Sequence, residues 1–180
     1  MDAGFPADVV AAARDAVKTH LRSVGDGEDA LISQHAVSAL ALCEAFTGQA
    51  TIVRTHVAIV SAGSGWRRLA MAPVVAITTV EGLPAEGASF AFAADAYAVD
   101  IDANGEGWVR VLSPGAAGRA RVTYQAGLAA DWAGLPAPIA QGVVLLAAHL
   151  FAGATSEPPA AVTALWRPWR RVRLSAERAA

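Results

Sequence analysis

The stretch "PAPIAQGVVLLAAHLF", residues 136–151, limits the possible folds of this chain more than any other. Pro136 and Pro138 suit the region before and inside a first helical turn. Residues 139–151 are then apolar nearly all round, interrupted only by Gln141 and His149. Such a helix has no face to give to water and must be buried on most sides. It is too short to cross a bilayer, which takes roughly 20 apolar residues. Its cover must come from other parts of the chain. "GATSEPP" breaks the helix, and Pro158 and Pro159 can open a short further helix through Leu165. Pro168 ends that one, because proline disfavours helical geometry at Arg167.

The cover is found at the other end of the sequence. Residues 7–23 carry Val10, Ala13, Val17 and Leu21 at three- and four-residue steps, which predicts a helix. "VGDGED" interrupts it, with Asp26 the expected N-cap of a second helix running to Phe46 and Asp29 favouring its positive end. Leu31, Ile32, Leu40 and Cys43 are its expected core residues, and Gly48 suits a left-handed C-cap. From Thr51 the texture changes. "TIVRTHVAIV", "WRRLAMAPVVAITTVEG", "FAFAADAYAVDI", "WVRVLS" and "GRARVTYQAG" are rich in alternating or β-branched residues and separated by glycine-rich turns. With no helix between them, these five or six strands imply antiparallel pairing. The predicted fold is α+β. An N-terminal αα-hairpin (1–50) and the helices of 129–164 make a small bundle, an antiparallel β subdomain (51–128) is inserted, and an extended tail (165–180) follows. No internal repeat is visible.

Composition adds two constraints. The chain is 54% hydrophobic and only 17% charged, with a mean hydropathy of +0.39. That surplus suggests a surface covered by another copy or another protein, although the alanine-rich composition of a high-GC genome would also produce it. The net charge of −2 hides an asymmetry: residues 167–180 hold five arginines and one glutamate, net +4, leaving −6 on the rest. An acidic body with a basic tail implies different partners for each. One cysteine, Cys43, makes no disulfide framework. The N-terminus lacks the pattern of a signal peptide, so a soluble, cytoplasmically made protein without membrane partners is expected.

A search for catalytic chemistry yields no candidate. His20, His35, His56 and His149 have no second ligand at a metal spacing, and His149 reads as a core histidine bonded to a neighbour. "AGSGW" (62–66) fits neither a phosphate loop nor a nucleophile elbow and reads as a hairpin turn. "DIDANGEGW" (100–108) places Asp100, Asp102, Asn104 and Gly105 as a calcium loop would. Its twelfth position, however, is Val111 rather than glutamate, so a solvated β-turn is the better reading. Cys43, beside Glu44, reads as a buried structural thiol. Catalytic, cofactor and metal residues are therefore none.

The candidate site is "LWRPWRRVRL": Leu165, Trp166, Arg167, Pro168, Trp169, Arg170, Arg171, Arg173 and Leu174. Tryptophan and arginine are the types most enriched at protein–protein hot spots, and arginine pairs bidentately with carboxylates or stacks on aromatics. Three other readings stay open: a lid folded back on its own domain, a nucleic-acid arm, and a membrane-surface anchor that Pro168 would interrupt. We expect the segment to project from the subunit and to become ordered on a partner.

Taken in order, "LRSVGDGEDALI", "EAFTGQ", "VTYQAG", "LPAPIAQGVVLLAAHLFAG" and "LWRPWRRVRL" resemble the phage head–tail connector, or adaptor, family. Leu21, Arg22, Asp29, Ile32, Glu44, Thr47, Gly48, Val122, Tyr124, Ala126, Gly127, Leu145, Leu146, His149, Leu150, Phe151, Leu165, Trp169 and Arg170 stand at the family's places. The composition further resembles the version carried by gene transfer agents, phage-derived particles that package host DNA. One departure is that "FAGATSEPP" lacks the basic residue that usually follows the buried helix. The resemblance implies a non-enzymatic structural protein at the head–tail interface. It would form a ring, commonly a dodecamer, beneath the portal, extending the DNA channel and offering a platform to the next connector, stopper or tail protein. DNA would pass through without sequence-specific binding. The resemblance also implies that the C-terminal segment docks into the portal.

Overall fold

The computed structural model describes residues 4–153 and 157–171. The chain divides into two compact units. Among the described residues, one consists of residues 4–6 with Ala50–Leu135, and the other of Ala7–Gln49 with 136–153 and 157–171. The predicted α+β class holds, with antiparallel sheets inserted between the two halves of a helical unit.

The helical unit contains α1 (Ala7–Leu21), α2 (Asp29–Thr47), α3 (Ala137–Phe151) and α4 (Ala160–Trp166). Helix α3 buries Ile139, Gly142, Val143, Val144, Leu146, Ala147 and Ala148, as its all-round apolarity demands. α1, α2 and α4 all pack against it. Val9, Ala13 and Val17 of α1 and Ile32, Ala36, Ala39, Leu40 and Cys43 of α2 are buried. The expected core residue Leu31 is instead 46% exposed; it lies one position, about 100°, from the buried Ile32, which turns it off the buried stripe.

The junction between α1 and α2 differs from the sequence reading. α1 stops at Leu21 because Arg22 turns into the left-handed region (φ 57) and Ser23 N donates to Lys18 O at 3.0 Å, a Schellman closure. Asp26 does not cap α2. Its carboxylate accepts from Lys18 Nζ at 3.0 Å, and the N-cap position falls to Glu28, which makes no side-chain cap bond. A lysine on the preceding helix has taken the carboxylate that would otherwise have bonded the free amides. Lys18 also donates to Asp29 at 2.6 Å, so one ammonium ties both ends of the junction together. At the other end, Gly48 (φ 68) caps α2 as expected, its N–H bonding Glu44 O at 2.8 Å.

The β unit contains β1 (Arg54–Ser61), β2 (Arg67–Arg68), β3 (Val74–Pro84), β4 (Phe90–Ala91), β5 (Tyr97–Ile101), β6 (Gly107–Val111) and β7 (Ala117–Ala126). One sheet has the order β1-β7-β3-β4 and a second the order β2-β6-β5, with every paired strand antiparallel. Along β7, Ala120, Val122, Tyr124 and Ala126 point inward, the period-2 pattern of a half-buried strand. They share one core with Val80 of β3, Leu69, and Val109 and Val111 of β6. Tyr124 keeps its hydroxyl satisfied there by accepting from Met71 N at 3.1 Å.

Two turn readings are settled differently. "AGSGW" is a turn but not a hairpin, because β1 pairs with β7 while β2 pairs with β6. The glycines carry the chain from one sheet to the other. "DIDANGEGW" is the β5–β6 turn. Asp102 Oδ1 accepts from the amides of Asn104 (2.8 Å) and Glu106 (2.9 Å), and Oδ2 from Trp108 Nε1 at 3.3 Å. Its carboxylate is thus engaged by the turn itself. Residues 129–135, grouped by sequence with the helices, belong to the β unit. Val53 N donates to Ala129 O at 2.8 Å and Ala129 N to Thr51 O at 3.2 Å, which ties this segment to the start of the unit.

Candidate docking surface at the C-terminal segment

The residues singled out at the C-terminus divide into three groups. Trp166 closes α4 and is 3% exposed. The nitrogen edge of its ring meets α3 at Gly142, where an added Cβ would fall 2.1 Å from the indole nitrogen. Only a residue without a side chain leaves room for that approach. The indole N–H donates to Ile139 O at 3.3 Å, and the ring stands 6.0 Å from Phe46, centroid to centroid. Leu165, one position earlier, is half-buried.

Residues 167–171 follow as a 3-10 turn (Arg167–Trp169) and a short return. Pro168 sits inside the turn, and α4 ends just before it, as its ring geometry requires. The segment does not project. Gln49 donates its side-chain amide to Trp169 O, and Arg171 N donates to Thr47 O at 2.8 Å. The left-handed bend at Gly48 exposes these groups at the end of α2, and a Cβ there would approach Arg171 O to 3.2 Å. The expectation of a projecting tail is therefore corrected as far as Arg171. The cap of α2 offers a carbonyl and a buried amide side chain, and the returning backbone satisfies both. Arg173 and Leu174 lie outside the described residues.

What this packing leaves outward is basic. Arg167, Pro168 and Arg170 are exposed, and Trp169 and Arg171 are half-buried. The Arg170 guanidinium stands 5.6 Å over the Phe46 ring, within cation–π range. Beside it opens an apolar groove of about 370 Å³ lined by Leu42, Ala45, Phe46, Leu146, Val162 and Trp166 among others. Sequence reasoning missed Thr47, Gln49 and Gly142 as the seat of the segment. A signal for one of them was present: a buried glutamine directly after a helix cap needs a partner.

Cys43, close below the cap, is fully buried, and burial, with Glu44 adding to it, pushes its thiol up to about 12. It is not ionised near neutral pH and is no nucleophile. Thr47 Oγ1 donates to Cys43 O at 2.7 Å, a structural bond. His149 is half-buried in the last turn of α3 rather than a core residue. Among the described residues no group of three or more His, Cys, Asp or Glu side chains converges as a metal site would need.

Neither a family model nor a curated protein sequence matches the chain. Solved structures do. Their likeness bears out the resemblance read from the sequence, that of a head–tail connector. The particular likeness is to gene transfer agents. A chain in the neck of an empty gene transfer agent particle, computed with C6 symmetry, is 29% identical with a TM-score of 0.77, and 99% of each chain is covered. A chain in the neck of the native particle, computed with C12 symmetry, is 27% identical with the same TM-score and the same coverage. A chain from the virion of the native particle is 28% identical at a TM-score of 0.68, covering 94% of this chain and 92% of the other.

Proposed function

We propose that the protein is a structural, non-enzymatic head–tail adaptor of a phage-like particle of the gene transfer agent type. In this role it forms a ring below the portal, extends the DNA channel and joins the capsid to the next connector or tail component. The observation that carries the reading is the likeness, over nearly the whole of both chains, to components of particle necks with sixfold and twelvefold symmetry. The acidic body supports it. A surface at net −6 outside the tail attracts DNA phosphate weakly at most, which suits a channel through which DNA slides.

The portal-docking surface on this reading is the outward side of the C-terminal segment, Arg167, Pro168, Trp169, Arg170 and Arg171, with Arg173 and Leu174 following in the sequence. Trp166 acts from inside, as the anchor that holds the segment on α3. Arginines beside a half-buried tryptophan give orientation through charge-assisted bonds and affinity through buried area.

The test must spare that anchor. We expect Arg167→Ala/Arg170→Ala, and separately a chain truncated after Arg171, to attach to purified portals at least about tenfold more weakly, since hot-spot truncations cost 2 kcal/mol or more. Undiminished attachment in both would overturn the docking role. Retained binding to DNA that collapses between low and moderate salt would instead favour a nucleic-acid arm, for which the exposed Arg167 and Arg170 are the supporting feature.

A further inference from the structure

We infer that the outward face of α2, with the groove beside it, is the seam by which one copy of this chain packs against a second copy. The inference rests on the adaptor reading above and adds to it the surface that closes the ring. Between Asp29 and Glu44, α2 has no charged side chain. The exposed positions are Ala30, Leu31, Gln34, Val37, Ala41, Leu42 and Ala45. They recur at three- and four-residue steps and so form one continuous stripe. Leu31, Val37 and Leu42 are 46%, 38% and 49% exposed. A helix face turned to water ordinarily carries charge, as α1 does with the exposed Asp8 and Asp15. Leu42 and Ala45 also form one wall of the apolar groove of about 370 Å³, so the stripe runs into a concavity able to take an apolar side chain.

Three observations point to a second copy as the occupant. The relatives matched over 99% of both chains stand in necks with C6 and C12 symmetry. In a cyclic assembly every copy meets a neighbour through two different patches, each of which must be buried in every subunit. Second, the body outside the tail carries −6, so copies repel wherever charged faces meet, and an uncharged seam is the surface on which they can associate. Third, the stripe is bounded by Asp29 and Glu44 and holds no lysine or arginine. Nucleic acid and anionic lipid headgroups find no cation along the stripe itself, Arg170 standing only at its groove end over Phe46. Because ring closure is heterologous, the neighbour meets this face with a surface other than its own α2.

The experiment compares the full chain with Leu42→Glu, Leu31→Glu and, as a control on the exposed side of α1, Thr19→Glu. Each is mixed with portals, and ring formation is read by negative-stain imaging and native mass spectrometry, with thermal unfolding followed in parallel. We expect the two α2 variants to unfold as the wild type does yet to lower the ring population at least about tenfold through like-charge and desolvation penalties, with Thr19→Glu unchanged. A photo-crosslinking residue in place of Leu42 should join two copies of this chain. Rings formed normally by both α2 variants, or a crosslink from position 42 to a different particle protein, would overturn the seam while leaving the adaptor reading intact. Failure of the wild type to form rings on portals would remove the adaptor reading itself and this inference with it.

Discussion

Apart from the few residues that precede α1, the β unit is drawn from one stretch of chain, Ala50–Leu135, whereas the helical unit is assembled from the two sides of that insertion. The β unit closes its core by alternation, with β1, β3 and β7 of the larger sheet giving side chains to the cluster around Val122 and Tyr124. The helical unit has α3 as a centre that cannot face water, and it is completed by the last tryptophan of α4. One unit depends on register and the other on a few late, specific contacts.

The largest expected effect tests the helical side of that contrast. Trp166→Ala removes a buried ring and leaves the groove above Gly142 empty, at a cost of about 3–5 kcal/mol. Hydrogen exchange should place the loss in α3 and α4. Gly142→Ala should also destabilise, because its Cβ cannot coexist with the indole. In the Trp166→Ala background the same change should instead stabilise by up to about 1 kcal/mol, the ordinary helix preference for alanine over glycine. Additive effects would break the claim that Trp166 is seated on this residue.

The corresponding test in the β unit is Gly127→Ala. Its Cβ would fall 2.2 Å from Val53 N, against backbone that cannot rotate away. We expect a loss of about 1–3 kcal/mol, seen as a lower denaturant midpoint, with exchange rising first in β1 and β7. Smaller again is Tyr124→Phe, which strands Met71 N at the edge of the core for about 1 kcal/mol. An unchanged midpoint would show that this hydroxyl adds nothing to the β core.

The smallest effect lies at the α1–α2 junction. Hydrogen bonds from Lys18 hold the Asp26 carboxyl below its ordinary range, and bonds to Asp29 and Asp26 hold the Lys18 ammonium above its own. The Asp26 contribution is present above the usual carboxylate range and fades as pH falls through the lowered value. The Lys18 contribution is present below the usual lysine range and fades as pH rises through the raised one. Both are complete near neutrality. Asp26 is almost fully exposed, so solvent screening keeps the pair weak. Asp26→Asn should leave the denaturant midpoint near pH 7 almost unchanged and flatten only its acid limb. A large loss at pH 7 would mean that the junction is a principal support of the hairpin.

Much of this architecture was legible in the residues. The apolar circumference of 139–151 dictates a central helix, Gly48 dictates a cap, and the alternation of Val122 and Tyr124 dictates a strand with one buried face. These features are local, set by the side chain's own geometry and its spacing to near neighbours. The candidate site was legible only as a composition. Trp166 and Trp169 stand three apart in one tail, yet one is core and the other half-exposed. Pro168 separates a helical Trp166 from Trp169, but it does not say which ring is buried.

What separates them is distant in sequence. Trp166 is buried because Gly142 leaves room for it on α3, and Trp169 is held half-buried where Gln49 and Thr47 clamp the backbone at Trp169 O and Arg171 N. Likewise, Asp26 fails as a cap because Lys18 reaches it first, and "AGSGW" joins two sheets because β7 rather than β2 lies beside β1. By itself the sequence determined which segments are helix or strand and which faces are apolar, since those follow from period and side-chain shape. Only the tertiary structure decided which polar group meets which, and so which of two tryptophans is buried, because that competition is between groups far apart along the chain.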